Sequence, residues 1–210
     1  VVGDIESIYY STDGQNGLYV AAIPGVFAKL NYLGVPFRNV VVTDLLDKGV
    51  APAHKFYIML PTLVLSKEQR QALKERFDKE NATVLWLYAA GTSYPTAGPK
   101  GEFCGDFLGF TCVMETSPRQ ETIAVPSQKV WSSKFTYAPH FYATGGFDQV
   151  IAKNVSDRAV VVSKKSGNAT HIFSTLVDIP HTLMSDLMTQ AGVFRYVTLL
   201  DDPLWIGNDL

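Results

Sequence analysis

Ala82-Thr-Val-Leu-Trp-Leu-Tyr-Ala-Ala-Gly-Thr-Ser93 is a run of apolar residues that stops at a glycine. The residues from Val84 to Ala90 are aliphatic or aromatic, and Val84, Trp86 and Tyr88 favour extended backbone. A run this short and continuous predicts a strand buried on both faces, as in the middle of a parallel sheet. Ligands of open α/β sheets bind outside the carboxyl ends of central strands, so chemistry is expected at Ala90-Gly91-Thr92-Ser93. None of the usual catalytic side chains stands there.

Upstream, Ile5 to Ser11 predicts a first strand, followed by a polar turn at Thr12-Asp-Gly-Gln-Asn-Gly17. Leu18, Ala21, Ala22, Val26, Leu30 and Leu33 recur at helical spacing, Pro24-Gly25 is expected to kink or split that helix, and Gly34 closes it. Val40-Val-Val-Thr43 and Lys55 to Pro61 read as the second and third strands. Ser66 with Gln69 forms a capping-box pattern for a helix from Lys67 to about Glu80, whose apolar stripe is Ala72, Leu73 and Phe77. This alternation predicts an α/β fold with a doubly wound, mostly parallel sheet and right-handed crossovers.

Downstream, glycines and prolines interrupt the pattern from Tyr94 to about Gln128, and Phe103, Phe107, Leu108 and Phe110 suggest one short helix. Gln120–Val125, Phe141–Thr144, Gln149–Lys153 and Ala159–Lys164 read as short strands of an antiparallel excursion over about residues 111–166. Gly145-Gly146 suits a hairpin between two of them, and Lys165-Ser-Gly-Asn168 is a further turn. The parallel pattern then returns. Thr170–Val177 is a strand, Pro180 opens a helix lined by Leu183, Met184, Leu187, Met188 and Ala191, Gly192 ends it, and Arg195–Leu200 reads as one more strand. The whole of 1–210 reads as one domain.

At 210 residues, 47% hydrophobic and 18% charged, the chain has the composition of a globular domain. Its 18 Lys and Arg against 20 Asp and Glu leave a net charge of −2, which excludes the basic excess of a nucleic-acid binder. No apolar run approaches the roughly 20 residues that cross a bilayer, so no membrane partner is expected. Val1 opens the chain without a Met and Trp205-Ile-Gly-Asn-Asp-Leu210 closes it without a polar tail, which reads as a piece of a longer polypeptide. Nothing in it fixes a compartment. Cys104 and Cys112 are two buried thiols, a disulfide if the protein is exported, or a redox pair; they make a poor metal site, since structural zinc needs four ligands. No cofactor and no metal are expected.

A nucleophile elbow projects its reactive side chain from a strained strand-to-helix turn between glycines. The matching segment here, Tyr88-Ala-Ala-Gly-Thr92, puts Ala90 or Gly91 at that position. Thr92 and Ser93 carry hydroxyls without a base nearby in sequence, so Ser93 is a weak nucleophile candidate and otherwise a loop residue. Of His54, His140, His171 and His181, none forms a metal-binding pair, and His181 at a helix start is the best-placed base or else a polar surface group. Trp131, Phe135, Tyr137, Phe141 and Tyr142 crowd the segment 129–142, where aromatics serve packing, an interface or a pocket rim. Trp131, with Phe135 and Tyr137, is the candidate for such a rim.

Three segments together resemble a known family: Ile23 to Pro36 with Thr43-Asp-Leu-Leu46; Lys55 to Pro61 with Leu65-Ser66 and Ala82 to Gly91; and Ile179 to Val193 with Tyr196 and Gly207-Asn208. They are similar to the class I glutamine-amidotransferase-like domain within large glycoside hydrolases, notably the trimerisation domain of family forty-two β-galactosidases. The resemblance spans most of the chain and is weakest from about Cys104 to Ser166. It implies a flavodoxin-like, three-layer domain that follows a catalytic barrel, helps to assemble a homo-oligomer, and contacts other domains of the same polypeptide and possible carbohydrate at a pocket rim. The amidotransferase machinery is missing: no Cys stands at Ala90-Gly91, and His181 is followed by Thr182 and Leu183 in place of His-X-Glu. The expectation is a non-catalytic assembly domain. The alternatives are a freestanding hydrolase or amidase using Ser93, Thr92 or a Cys with His181, and a sugar-binding module using Trp131.

Overall fold

The computed structural model describes residues 1–12, 18–47, 49–92, 104–125 and 128–196. The quoted stretch forms β4 (Thr83–Leu87), which lies between β3 (Phe56–Met59) and β11 (Ala169–Ser174) and runs parallel to both. Beyond β3 come β1 (Val2–Gly3) and β2 (Val40–Val41), also parallel. Because side chains alternate across a strand, β4 serves both faces. Val84 and Trp86 join Tyr57, Met59, Leu73 and Phe77 in one cluster, and Leu85 and Leu87 join Val26, Leu30, Leu183 and Met184 in the other. Helices α3 (Val42–Leu46) and α4 (Lys67–Lys79) cover the first face, and α2 (Leu18–Tyr32) and α5 (His181–Gln190) the second. The expected α/β architecture holds.

The capping box is formed: Ser66 Oγ accepts from Gln69 N–H at 3.1 Å, and Gln69 Oε1 accepts from Ser66 N–H at 2.8 Å. Asn81 (φ +51) ends α4 in the left-handed region and turns the chain into β4.

Beyond β11 the pairing turns antiparallel, through β10 (Ala159–Ser166), β9 (Gln149–Asn154), β6 (Thr122–Val125) and β7 (Gln128–Ser132). A branch leads from β10 through β8 (His140–Gly145) to β5 (Thr111–Glu115). Ala159 pairs with Lys153 of β9 on one edge of β10 and with Ala143 of β8 on the other, the edge on which β11 lies further along.

Four expectations are corrected. Ile5–Thr12 is helix α1, because Asp4 accepts the Ser7 N–H at 2.8 Å and caps a turn there; only Val2 and Gly3 pair in the sheet. Helix α2 is not split at Pro24: Ala22 before it and Val26 and Leu30 after it are fully buried, and that packing outweighs the lost backbone bond. The short helix near Phe107 is a single 3-10 turn, Asp106–Leu108, bounded by left-handed Gly105 and Gly109. Gly145-Gly146 joins β8 to β9 without pairing them; at Gly146 a Cβ would stand 2.0 Å from the Gly109 carbonyl oxygen, so the glycine there permits a close backbone approach. Of the strand expected at Arg195–Leu200, residues 197–200 lie outside the described residues, and Arg195 and Tyr196 are not in a strand.

Replacing Ser66 by Ala should lower stability by about 1 kcal/mol in urea denaturation, through loss of the cap. Lys67→Ala on the exposed side of the same turn should change it by less than about 0.5 kcal/mol.

Candidate functional site

At the carboxyl end of β4 the backbone turns sharply. Tyr88 (φ +41), Ala89 (φ +52) and Gly91 (φ +69) are all left-handed, a conformation that costs about 1–3 kcal/mol at each non-glycine residue. Contacts from several elements hold it. Tyr88 N–H donates to the Ser174 carbonyl at 2.9 Å and Gly91 N–H to the Thr62 carbonyl at 2.8 Å. The Ala90 carbonyl accepts from Gly105 N–H at 2.9 Å, and Thr92 Oγ1 donates to the Ala89 carbonyl at 2.8 Å.

Arg70 of α4, itself buried, closes the turn from the side. Its Nε donates to the Leu65 carbonyl at 3.0 Å, Nη2 to the Gly91 carbonyl at 2.8 Å, and Nη1 to Asp106 Oδ1 at 3.0 Å. Its guanidinium lies 5.3 Å from the centre of the Phe107 ring. A Cβ on Gly91 would meet that ring at 3.0 Å and the Arg70 Cζ at 3.2 Å. Ala90, at the place of an elbow nucleophile, is 0% exposed. The elbow is therefore both empty of a nucleophile and covered.

Ser93 lies outside the described residues. His181 packs elsewhere, edge-on to Tyr32 of α2 with ring centres 5.9 Å apart, and burial, then the nearby Lys29 charge, lowers its pKa. Lys29 in turn pairs with Asp178. The described contacts of His181 thus belong to the α2–α5 side and do not reach Thr92.

The aromatic segment separates. Trp131 is half-buried, pairs across from Ile123 and packs against the cluster on the α2–α5 face; Phe135 is 38% exposed. Tyr137 is core, not rim: it is 3% exposed, edge-on to Tyr88 at 5.8 Å and over His140 at 4.3 Å, because the aromatic ring fills the space behind the elbow.

Sequence reading missed Glu121 and gave His140 no partner. Glu121 is buried and accepts from Tyr142 Oη at 2.9 Å and Asn154 Nδ2 at 3.0 Å; His140 Nδ1 lies 3.1 Å from its Oε2. Arg119 also reaches the Tyr142 hydroxyl. Burial pushes the Glu121 carboxyl up, but the hydrogen bonds from His140, Asn154 and Tyr142 outweigh it and hold the carboxyl below its usual range. His140 Nε2 is buried and has no partner among the described residues. A carboxylate-oriented imidazole of this kind is half of an acid–base pair, yet no described nucleophile faces it. The one signal in the sequence was an acid inside a strand pattern, Glu121-Thr-Ile-Ala-Val125. No group of three or more His, Cys, Asp or Glu side chains among the described residues could hold a metal.

At the opposite ends of the strands lies a groove of about 520 Å³, lined by apolar residues such as Val35, Phe37 and Met188 and bordered by Arg38, His54 and Lys55.

No family model and no curated protein matches the chain. Among solved structures it is similar to Gan42B, a GH42 β-galactosidase from G. stearothermophilus, with a TM-score of 0.73 and 14% identity over 94% of this chain and 31% of that one. It is similar to the β-galactosidase of the Antarctic haloarchaeon Halorubrum lacusprofundi, with a TM-score of 0.71 and 18% identity over 92% of this chain and 30% of that one. A ThuA-like protein from Bacteroides uniformis matches with a TM-score of 0.53 and 13% identity over 91% of this chain and 88% of that one. At these identities the likeness is one of fold. The resemblance to the β-galactosidase domain is borne out at that level, and the chain spans about a third of the length of those β-galactosidases.

Two outcomes are expected. Gly91→Ala should cost about 1–3 kcal/mol in denaturant unfolding, since φ +69 and the Phe107 ring both oppose a Cβ. Because the folded pKa of Glu121 is depressed, its stabilisation is complete above the unfolded value of about 4.3 and is lost as pH falls through the folded value. Unfolding midpoints measured across this range should fall with pH in the wild type and flatten in Glu121→Gln.

Proposed function

We propose that residues 1–210 form one amidotransferase-like domain of a larger carbohydrate-active glycoside hydrolase, in which it is a non-catalytic assembly domain. The observation that carries this reading is the covered elbow: Ala90 is fully buried, and Arg70 and Phe107 close against Gly91 beside it, which leaves no exposed side chain at the nucleophile position. The fold likeness to a portion of longer β-galactosidase chains supports the same reading.

The outer strands offer surfaces for assembly. On the edge strand β5, Val113 and Met114 are 46% and 38% exposed, and on the edge strand β7, Val130 is 61% exposed. Apolar side chains along open edges favour contact with another surface. Other domains of the same polypeptide and further copies of the protein are the partners proposed. A sugar-binding role for the half-buried Trp131 and exposed Phe135 is the second reading; calorimetry with galactosides that gave no heat at millimolar ligand would remove it.

Blotting the native gene product with an antibody against this chain should give a band far above 23.1 kDa, the mass of the 210 residues alone. A band at 23.1 kDa would overturn the reading and turn attention to a freestanding enzyme of the ThuA-like length. In the native protein, Val113→Lys with Val130→Lys should reduce the oligomeric mass seen by light scattering. An unchanged mass would remove these edges from the assembly surface.

A further inference from the structure

Cys104 and Cys112 are the two cysteines of the chain, and both are free thiols. Cys104 is fully buried and directly precedes Gly105, whose N–H holds the elbow through the Ala90 carbonyl at 2.9 Å. The chain then folds back on itself: Phe110 N–H donates to the Gly105 carbonyl at 3.1 Å, and β5 begins at Thr111. Between Thr111 and Cys112 the pairing with β8 shifts register, from Thr111 opposite Gly145 to Cys112 opposite Ala143. An irregularity of this kind re-aims the side chain that follows it. Cys112, half-buried on a strand whose Val113 and Met114 are exposed, packs against the cluster that contains Cys104, across the turn closed by the Phe110–Gly105 hydrogen bond.

We propose that Cys104 and Cys112 form a reversible intramolecular redox clip, closed by disulfide exchange with a small disulfide of the glutathione class. The more accessible Cys112 thiolate attacks one sulfur of glutathione disulfide, its S–S bond breaks, and one glutathione leaves as thiolate. The Cys104 thiolate then attacks Cys112 Sγ, the mixed disulfide breaks, and the second glutathione leaves. Two protein thiols are oxidised by two electrons, one glutathione disulfide is reduced to two glutathione thiols, and the two cysteine protons pass through solvent to the leaving thiolates. Burial pushes the Cys104 thiol well above its ordinary value, so the second step is the slow one and quickens as pH rises.

The clip would join the turn that covers the elbow to an edge strand of the antiparallel region. Asp106 and Phe107, which engage Arg70, lie inside the closed loop. Oxidation therefore fixes the cover of the elbow and the start of β5 in one covalent unit.

The test is to incubate the 210-residue chain with glutathione disulfide under native conditions, then measure thiol titre, intact mass and Tm. The titre should fall from two thiols to none, the mass should fall by two hydrogens without an adduct, and Tm should rise by roughly 5 °C. Dithiothreitol should reverse all three. Cys112→Ser, which leaves the buried Cys104 in place, should keep the fold and show no rise in Tm. Two intact thiols, a lasting glutathione adduct on Cys112, or a dimer linked through Cys112 would each overturn the proposal.

Discussion

The structure depends on the left-handed turn that closes β4. Three of the four residues from Tyr88 to Gly91 stand where side chains are sterically disfavoured, and such a conformation survives only where its surroundings over-determine it. Here the restraints come from β11, from the segment after β3, from α4 through Arg70, and from the 3-10 turn through Gly105. Each is a backbone contact or a charged donor on a backbone acceptor. The turn that places a nucleophile above the sheet in an elbow enzyme serves here to tie four elements together.

Arg70 is central because a guanidinium offers donors in a fixed fork. One side chain satisfies the Leu65 and Gly91 carbonyls and the Asp106 carboxylate, and its flat face lies against Phe107. A lysine would supply a point charge without that geometry. Burial of the charge is tolerated because its donors are matched by acceptors within 3.0 Å.

The antiparallel region has a second polar anchor. Glu121 is a buried carboxylate, and its hydrogen bonds from Tyr142 and Asn154, with His140 beside it, join β8, β9 and the approach to β6. Directional hydrogen bonds of this kind fix register where apolar contacts alone would allow slippage. Tyr137 links this network to the elbow, since its ring packs on His140 and against Tyr88, whose hydroxyl donates to the Pro139 carbonyl at 2.7 Å. The two anchors thus form one continuous support behind the central strand.

The sequence by itself determined the central strands and flanking helices of the parallel half and the lack of a nucleophile at the elbow. The apolar run of β4, the Ser66–Gln69 cap and the stripe of α5 are local signals, because each depends on spacing within one element. It also showed Ala90-Gly91 where a nucleophile would stand. Only the tertiary structure decided that Ile5–Thr12 is helix, since Ser7 is buried there and its Oγ accepts from the distant Val64 N–H at 3.0 Å. It alone put both β8 and β9 beside β10, buried Tyr137 while leaving Phe135 exposed, and gathered Glu121 before β6, His140 and Tyr142 of β8 and Asn154 of β9. Those outcomes rest on contacts between residues far apart in the chain, and periodicity along a single element carries no information about which strands become neighbours.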